Sequence, residues 1–221
     1  MTDIDEKPLA LITGASRGIG AETAKLLAAK GYHVLLTART EGGLEEVEDT
    51  IHAAGGTATL APFDLADAEA IARLAQAVHG RWARLDALIL NAGQLGELGP
   101  LAHVSDKDFA QIFTVNVAAN FRLLKAFDPL LRAAENAPEV VGVTSSVAQK
   151  PRAYWGPYAA SKAALENLLN TYAAEHDRAR VHIFDPGGTA TDMRASAFPG
   201  EDPDTLPSAE ATAKRLVDLI S

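Results

Sequence analysis

Tyr158 and Lys162 stand four residues apart in WGPYAASKAALENLL, a stretch of helical period, so their side chains project from one face. A free phenol, with a pKa of ~10, is a poor base near neutrality. An ammonium beside it stabilises the phenolate and lowers that value. Such a pair can move a proton to or from a substrate oxygen. Ser145 lies thirteen residues before Tyr158, at the end of the apolar run VVGVTS, where its hydroxyl could return to the same place and hydrogen-bond that oxygen. Taken singly, each residue has a plainer use, as a member of an amphipathic helix or as a turn former.

A second group lies near the start of the chain. TGASRGIG, at 13–20, follows the apolar run LALIT and leads into ETAKLLAAKG. Gly14, Gly18 and Gly20 let the backbone turn tightly, approach a ligand and pack the next helix on a sheet. That helix is expected to begin near Gly18, with its free N–H groups and positive dipole end toward a pyrophosphate. Ser16, Arg17 and Ile19 of the same turn join the candidate dinucleotide contacts. The spacing is G-x-x-x-G-x-G, and its plainer reading is a tight turn without ligand. After the second apolar run, LTART places Arg39 where an acidic residue would bind a free ribose 2′-hydroxyl and an arginine can pair with a 2′-phosphate. With Arg17 nearby, NADP is favoured over NAD.

These groups need a frame. Short apolar runs alternate with longer Ala-rich stretches: LALIT (9–13), HVLLTA (33–38), TATLAPF (57–63), ALILN (87–91), VVGVTS (140–145) and VHIFD (181–185). Between them lie helical stretches long enough for parallel crossovers. Gly31 and Gly55 are expected as left-handed helix ends. The pattern predicts one α/β domain over 1–221, a doubly wound parallel sheet of six strands buried on both faces. Residues 194–207, RASAFPGEDPDTLP, read as a long loop, a candidate substrate loop. A last helix follows with Ser208 as its N-cap.

Composition excludes several classes. The net charge of −9 without a basic cluster argues against nucleic acid and anionic lipid as partners. Zero cysteines exclude thiolate nucleophiles and thiolate metal sites. The start MTDIDEKP is unlike a signal peptide, no apolar run nears ~20 residues, and a soluble cytoplasmic protein is expected. The six histidines lack metal-ligand spacing, so no metal is expected and surface or capping roles are assigned to them. Trp155 is read as packing. Glu201, Asp202 and Asp204 are read as solvated, although as part of a lid they would disfavour anionic substrates. Arg122, Lys125 and Arg132 are read as a solvated helix face.

Taken together, the sequence resembles the short-chain dehydrogenase/reductase family, in its branch of single-domain NAD(P)-dependent enzymes. The resemblance rests on TGASRGIG, Asp64-Leu65, NAG at 91–93, Asn116 within FTVNVAANF, Ser145, YAASK at 158–162 and PGGTATDM at 186–193. It implies hydride transfer between NADP(H) and a carbonyl or alcohol substrate, with Tyr158 as general acid/base. Lys162 would bind the nicotinamide ribose and depress the tyrosine pKa, Ser145 would polarise the substrate oxygen, and Asn116 would hold a relay water. Asp64 would contact the adenine, with Leu65 beside it. Asn91, Ala92 and Gly93 would lie along the adenosine and support the sheet. Beyond Pro186 and Gly187, Gly188 and Thr189 would meet the carboxamide, with Thr191 at the family's usual hydroxyl position. Ser146 is the alternative to Ser145, but counting from the strand start and back from Tyr158 both select Ser145. Tyr154 lacks a lysine four residues on and is expected in the pocket lining or at the surface. A dinucleotide sensor without turnover, and an epimerase or dehydratase on the same fold, are the competing functions. The family's seventh strand after the last helix is absent from these 221 residues. The sixth strand is therefore expected at an edge. A homodimer through the Asn116 and Tyr158 helices is expected, aided by Ala118, Ala119, Ala163 and Ala164, and a tetramer is in doubt.

Overall fold

In the computed structural model, which describes residues 6–220, each apolar run near the start of a crossover becomes a strand. The strands are β1 Leu9–Thr13, β2 His33–Thr37, β3 Thr57–Leu60, β4 Ala87–Leu90, β5 Glu139–Val143 and β6 Arg180–Phe184. They form one sheet in the order β3-β2-β1-β4-β5-β6, with every neighbouring pair parallel. The order reverses between β1 and β4. In open sheets of this kind the carboxyl ends of the strands flanking the reversal diverge into a crevice.

Helices cover both faces, so β1, β2, β4 and β5 are buried at every position. This is why they read as continuous apolar runs rather than alternating ones. On one face Leu9, Leu11, Leu88 and Val140 pack with α3 (Ala68–Arg81), α5 (Ala119–Arg132) and α6 (Gly156–Glu175). On the other, Ala10, Ile12, Ile89 and Val141 pack with α1 (Gly18–Ala29), α2 (Glu41–Ala53) and α8 (Ala209–Val217). The remaining helices are α4 (Asp106–Phe113) and the short α7 (Asp192–Ala197).

Local signals account for the helix ends. Gly31 and Gly55 follow α1 and α2 with φ of 97° and 81°, where any other residue would be strained. Ser208 accepts from Ala211 N at 3.1 Å and caps α8. β6 lies at a sheet edge, as expected, with half-exposed residues along its middle.

Several expectations are corrected. TATLAPF stops as a strand at Leu60, because Pro62 has no N–H to give; single bonds from Ala61 N to Leu36 O and Phe63 N to Ala38 O continue beyond it. β5 ends at Val143, so Ser145 stands two residues past the strand, before a short 3₁₀ turn at Ser146–Ala148. Residues 194–207 are not all loop, since α7 runs to Ala197 and a 3₁₀ turn forms at Pro203–Thr205. Two histidines are in the interior: His33 stacks on Trp82 (centroids 5.5 Å), and buried His176 accepts from Ala179 N through Nδ1. Ala119 is in the core rather than free for an interface. Arg122 is only part-exposed, with one guanidinium nitrogen buried, and Arg132 pairs with Asp128 at 2.9 Å, so this face is not simply solvated.

The tightest packing in the frame is at Gly20, where an added Cβ would collide with the Gly14 carbonyl and the Asn91 amide, neither of which can move without opening the first turn. Gly20→Ala is therefore expected to cost about 2 kcal/mol or more. The melting temperature read by circular dichroism should fall on the order of 4–8 °C. An unchanged melt would show that this contact is relaxed in solution.

Candidate active site

The crevice is closed at its base by hydrogen bonds between β1 and β4. The Thr13 hydroxyl donates to Ile89 O at 3.2 Å and accepts from Asn91 N and Ala92 N, each at 3.0 Å. The Asn91 amide donates back to Thr13 O at 2.9 Å and to Gly14 O at 3.3 Å. Asn91 thus carries the end of β4 onto the glycine turn.

The turn itself has Gly14 and Gly18 at φ of 67° and 57°. Ala15 N donates to Thr37 O at 3.0 Å, tying the turn to the end of β2. Ser16 lies against Gly43 in the first turn of α2, where an added Cβ would approach Ser16 Cβ to 3.0 Å. α1 begins at Gly18 with no side-chain cap from Arg17, so its first N–H groups point outward as donors for an anion. Half-exposed Ile19 follows in the first turn of α1. Arg17 pairs with Asp192 at 3.4 Å, but both side chains are about three-quarters exposed, and such a pair is worth little. Arg39 is exposed after β2, and among the described residues no carboxylate pairs with it. Asp64 and buried Leu65 follow β3, two strands further out; the Asp64 carboxylate accepts from Ala66 N at 2.9 Å.

The second wall is α6, with Pro157 in its first turn and Tyr158, Ser161 and Lys162 on its buried side. Lys162 Nζ donates to Val143 O at 2.8 Å, at the carboxyl end of β5, and lies 5.7 Å from the Tyr158 ring centroid. Burial pushes the Tyr158 phenol up to about 12; its hydrogen bond with Ser145 pulls the other way, and Asp185 adds to the rise. Burial moves Lys162 in the opposite direction, down to about 8. The cost of charge in a dry site is the largest cause of both shifts, and the phenol is raised rather than, as the resemblance implies, depressed by Lys162.

Asn116 is fully buried, in a π turn at Thr114–Ala118 that separates α4 from α5. Its amide accepts from Gln94 N at 2.7 Å and donates to Gln94 O and Ser161 Oγ, each at 2.9 Å. Ser161 in turn donates to Tyr158 O at 2.8 Å. One side chain therefore joins the segment after β4 to the helix that carries Tyr158. An added Cβ at Gly93 would lie 3.3 Å from Lys162 Nζ and 3.6 Å from Asn116 Oδ1, so glycine there leaves the lysine tip room on its way to β5.

The third wall follows β6. Gly187, with φ of 70°, donates its N–H to Asp185 Oδ1 at 2.9 Å, while buried Thr189 shares a 3.0 Å hydroxyl contact with Thr212 of α8. Gly188 is in the same segment, where an added Cβ would approach Leu206 to 3.2 Å. Thr191 caps α7, accepting from Arg194 N at 3.2 Å, and its methyl lies 3.6 Å from where a Gly18 Cβ would be. Residues 186–191 therefore meet the glycine turn across the crevice. Beyond α7, Phe198 packs on Trp155 (centroids 5.7 Å), whose ring is 5.9 Å from that of Tyr158. Glu201 is not solvated as expected: it forms a bidentate pair with Arg194, at 2.5 and 2.6 Å, which lowers its pKa.

The structure brings Ser145, Tyr158 and Lys162 together and joins Asn116 to them. It ties the glycine turn to Asn91 and Ala92, sets Gly93 beside Lys162 and Asn116 instead, and leaves Arg39 and Asp64 at the outer end. Tyr154 is exposed, the surface half of its expectation. Thr13, Ser161, the Val143 carbonyl and the Phe198–Trp155 contact escape sequence reasoning; only Ser161, three after Tyr158 on the same helical face, left a signal. A separate cavity of about 320 Å³, lined by Pro8, Tyr32, Asp86 and Glu139 among others, lies at the amino ends of the strands and shares nothing with this crevice.

Comparison with known proteins agrees with the fold and places its family. The family model described as short chain dehydrogenase matches residues 8–202. The oxidoreductase YciK of Escherichia coli (strain K12) is 39% identical over 208 residues, covering 92% of this chain and 82% of that protein. A short chain dehydrogenase from Escherichia coli CFT073, solved in complex with NADPH, superposes with a TM-score of 0.93 at 37% identity, over 99% of this chain and 93% of that one. Another from Shigella flexneri 2a str. 301, complexed with NADP, gives 0.89 at 38% identity, over 95% of this chain and 89% of that one.

Proposed function

The chain belongs to the short-chain dehydrogenase family, and from that premise we propose that it is an oxidoreductase interconverting a carbonyl and an alcohol with NADP(H), Tyr158 moving the proton. The observation that carries this reading is the burial of Tyr158 and Lys162 on one face of α6, with Ser145 near enough to the phenol to lower its pKa, in the crevice that the glycine turn opens.

The residues fit a dinucleotide. The uncapped start of α1 and the glycine turn suit a pyrophosphate, Arg39 and Arg17 suit a 2′-phosphate, and relatives solved with NADP and NADPH support that choice. Asp64, Leu65, Asn91, Ala92 and Gly93 would hold the adenosine side, and Pro186, Gly187, Gly188, Thr189 and Thr191 the carboxamide side. Bound there, the dinucleotide supplies or accepts the hydride.

Ser145 would orient the substrate oxygen, and Tyr158 would donate its proton to that oxygen in reduction and remove it in oxidation. A phenol pushed up to about 12 is fully protonated at neutral pH, the form reduction requires. Lys162 would stabilise the phenolate left behind while it remains charged. Asn116 positions α6 through Ser161 and is the residue that would hold the relay water. Residues 194–207 would close over the substrate through Phe198. Exposed Phe109 and Phe121, on α4 and α5 to either side of Asn116, support the homodimer through the Asn116 and Tyr158 helices.

Tyr158→Phe should lower turnover of aldehydes and ketones by roughly 10²–10⁴-fold with dinucleotide affinity nearly unchanged, read by steady-state absorbance and by titration. In the same assay wild-type reduction should be level up to about pH 8 and fall above it as Lys162 loses its proton; a profile level to pH 10 would remove the lysine from this role. Arg39→Asp should weaken NADPH by about ten- to a hundredfold and leave NADH nearly unaffected; equal effects would make Arg39 a bystander. Light scattering should give a dimer that Phe121→Glu converts to monomer, and a wild-type monomer would refute the interface.

A further inference from the structure

Next to the candidate site stands a cation that none of the proposed roles uses. Residues 152–155 form a tight turn, with Trp155 N bonded to Arg152 O at 3.2 Å. Its third residue, Tyr154, has φ of 73°, a position that favours glycine. The turn sets Arg152 beside Trp155: the guanidinium lies 5.8 Å from the Trp155 ring centroid and 5.2 Å from that of Phe198. Trp155 is in turn the ring that borders Tyr158. Phe198 also carries Arg194 at 3.8 Å, but that charge is neutralised by Glu201. Among the described residues no carboxylate pairs with Arg152. Two guanidinium groups and one carboxylate thus meet at this aromatic wall, leaving one positive charge over.

We propose that the carbonyl substrate carries a carboxylate, and that Arg152 selects it while Trp155 and Phe198 take the apolar body between that carboxylate and the carbonyl. The inference rests on the reading of Tyr158 given above and names the substrate class for it. Arg152 is exposed, and its planar guanidinium over these rings can present a fork of donors to a carboxylate. Asp185, whose charge raises the Tyr158 pKa, disfavours a second anion beside the reacting oxygen. The substrate's charge therefore belongs at the Arg152 end. The pairing of Glu201 with Arg194 neutralises one of the three loop carboxylates, while Asp202 and Asp204 stay exposed on the solvent side. The carboxylate itself is unchanged by the reaction.

The test compares 4-formylbenzoate, its methyl ester and 4-formylphenyl phosphate with NADPH in the wild type, Arg152→Gln and Arg152→Lys. The acid should exceed the ester in kcat/KM by about tenfold or more, the preference should vanish in Arg152→Gln and return in part in Arg152→Lys, and the ester should be insensitive to both changes. Acid and ester turned over equally by the wild type, or lowered equally by Arg152→Gln, would overturn the proposal, as would a strong preference for the phosphate. Quenching of tryptophan fluorescence by benzoate against benzamide gives a readout that needs no turnover. An Arg152-dependent preference for benzoate without reduction of any aldehyde would uphold this site and reject the reaction; equal binding would reject the site.

Discussion

Everything in the crevice depends on how closely β1 and β4 are held where the strand order reverses. Two side chains do this. The Thr13 hydroxyl serves one acceptor and two donors, and the Asn91 amide spans the carbonyls of Thr13 and Gly14. With the carbonyls engaged, the glycine turn has little room, and Gly20 must lack a side chain because the Gly14 carbonyl and the Asn91 amide occupy its place. The outward direction of the first N–H groups of α1 follows from that closeness. The turn proposed for phosphate is here a consequence of sheet geometry as much as of helix polarity.

The other wall is governed by burial. Tyr158 and Lys162 are displaced in opposite directions by the same loss of water, the phenol toward its neutral form and the ammonium toward its own. Each uncharged form is the less costly one in a dry site. Lys162 keeps a foothold on the Val143 carbonyl, and the bare glycine at 93 leaves its tip room. Asn116 holds this wall to the sheet with three hydrogen bonds from one amide, and the π turn around it brings that amide inward at a cost in helix regularity. The wide turn and the strained Tyr154 both adjoin the candidate site, where irregular backbone commonly collects.

The order of elements and the face each helix buries were readable because parallel strands covered on both sides must be apolar throughout and their crossovers must be long. Gly31 and Gly55 could be assigned as helix ends for a local reason, the absence of a Cβ. Ser145 was found by counting although it stands past the strand rather than on it. The errors have a common origin. His33 was read by residue type, yet it stacks under Trp82 in the interior, whereas His176, though buried, does take a capping role at the end of α6. Glu201 was read as solvated because its partner Arg194, seven residues earlier, meets it only when α7 and the following turn fold back.

By itself the sequence determined which residues could do chemistry and in what order the chain would present them, since residue type and local period are properties of neighbours along the chain. Tertiary structure alone decided how far Tyr158 and Lys162 are from water, which carbonyl the lysine meets, and which of Arg152 and Arg194 is paired with a carboxylate. Those outcomes depend on groups distant in the chain that touch only after the sheet has closed. The physical reason is that desolvation and ion pairing are set by what surrounds a group in space, and no spacing along a chain specifies that.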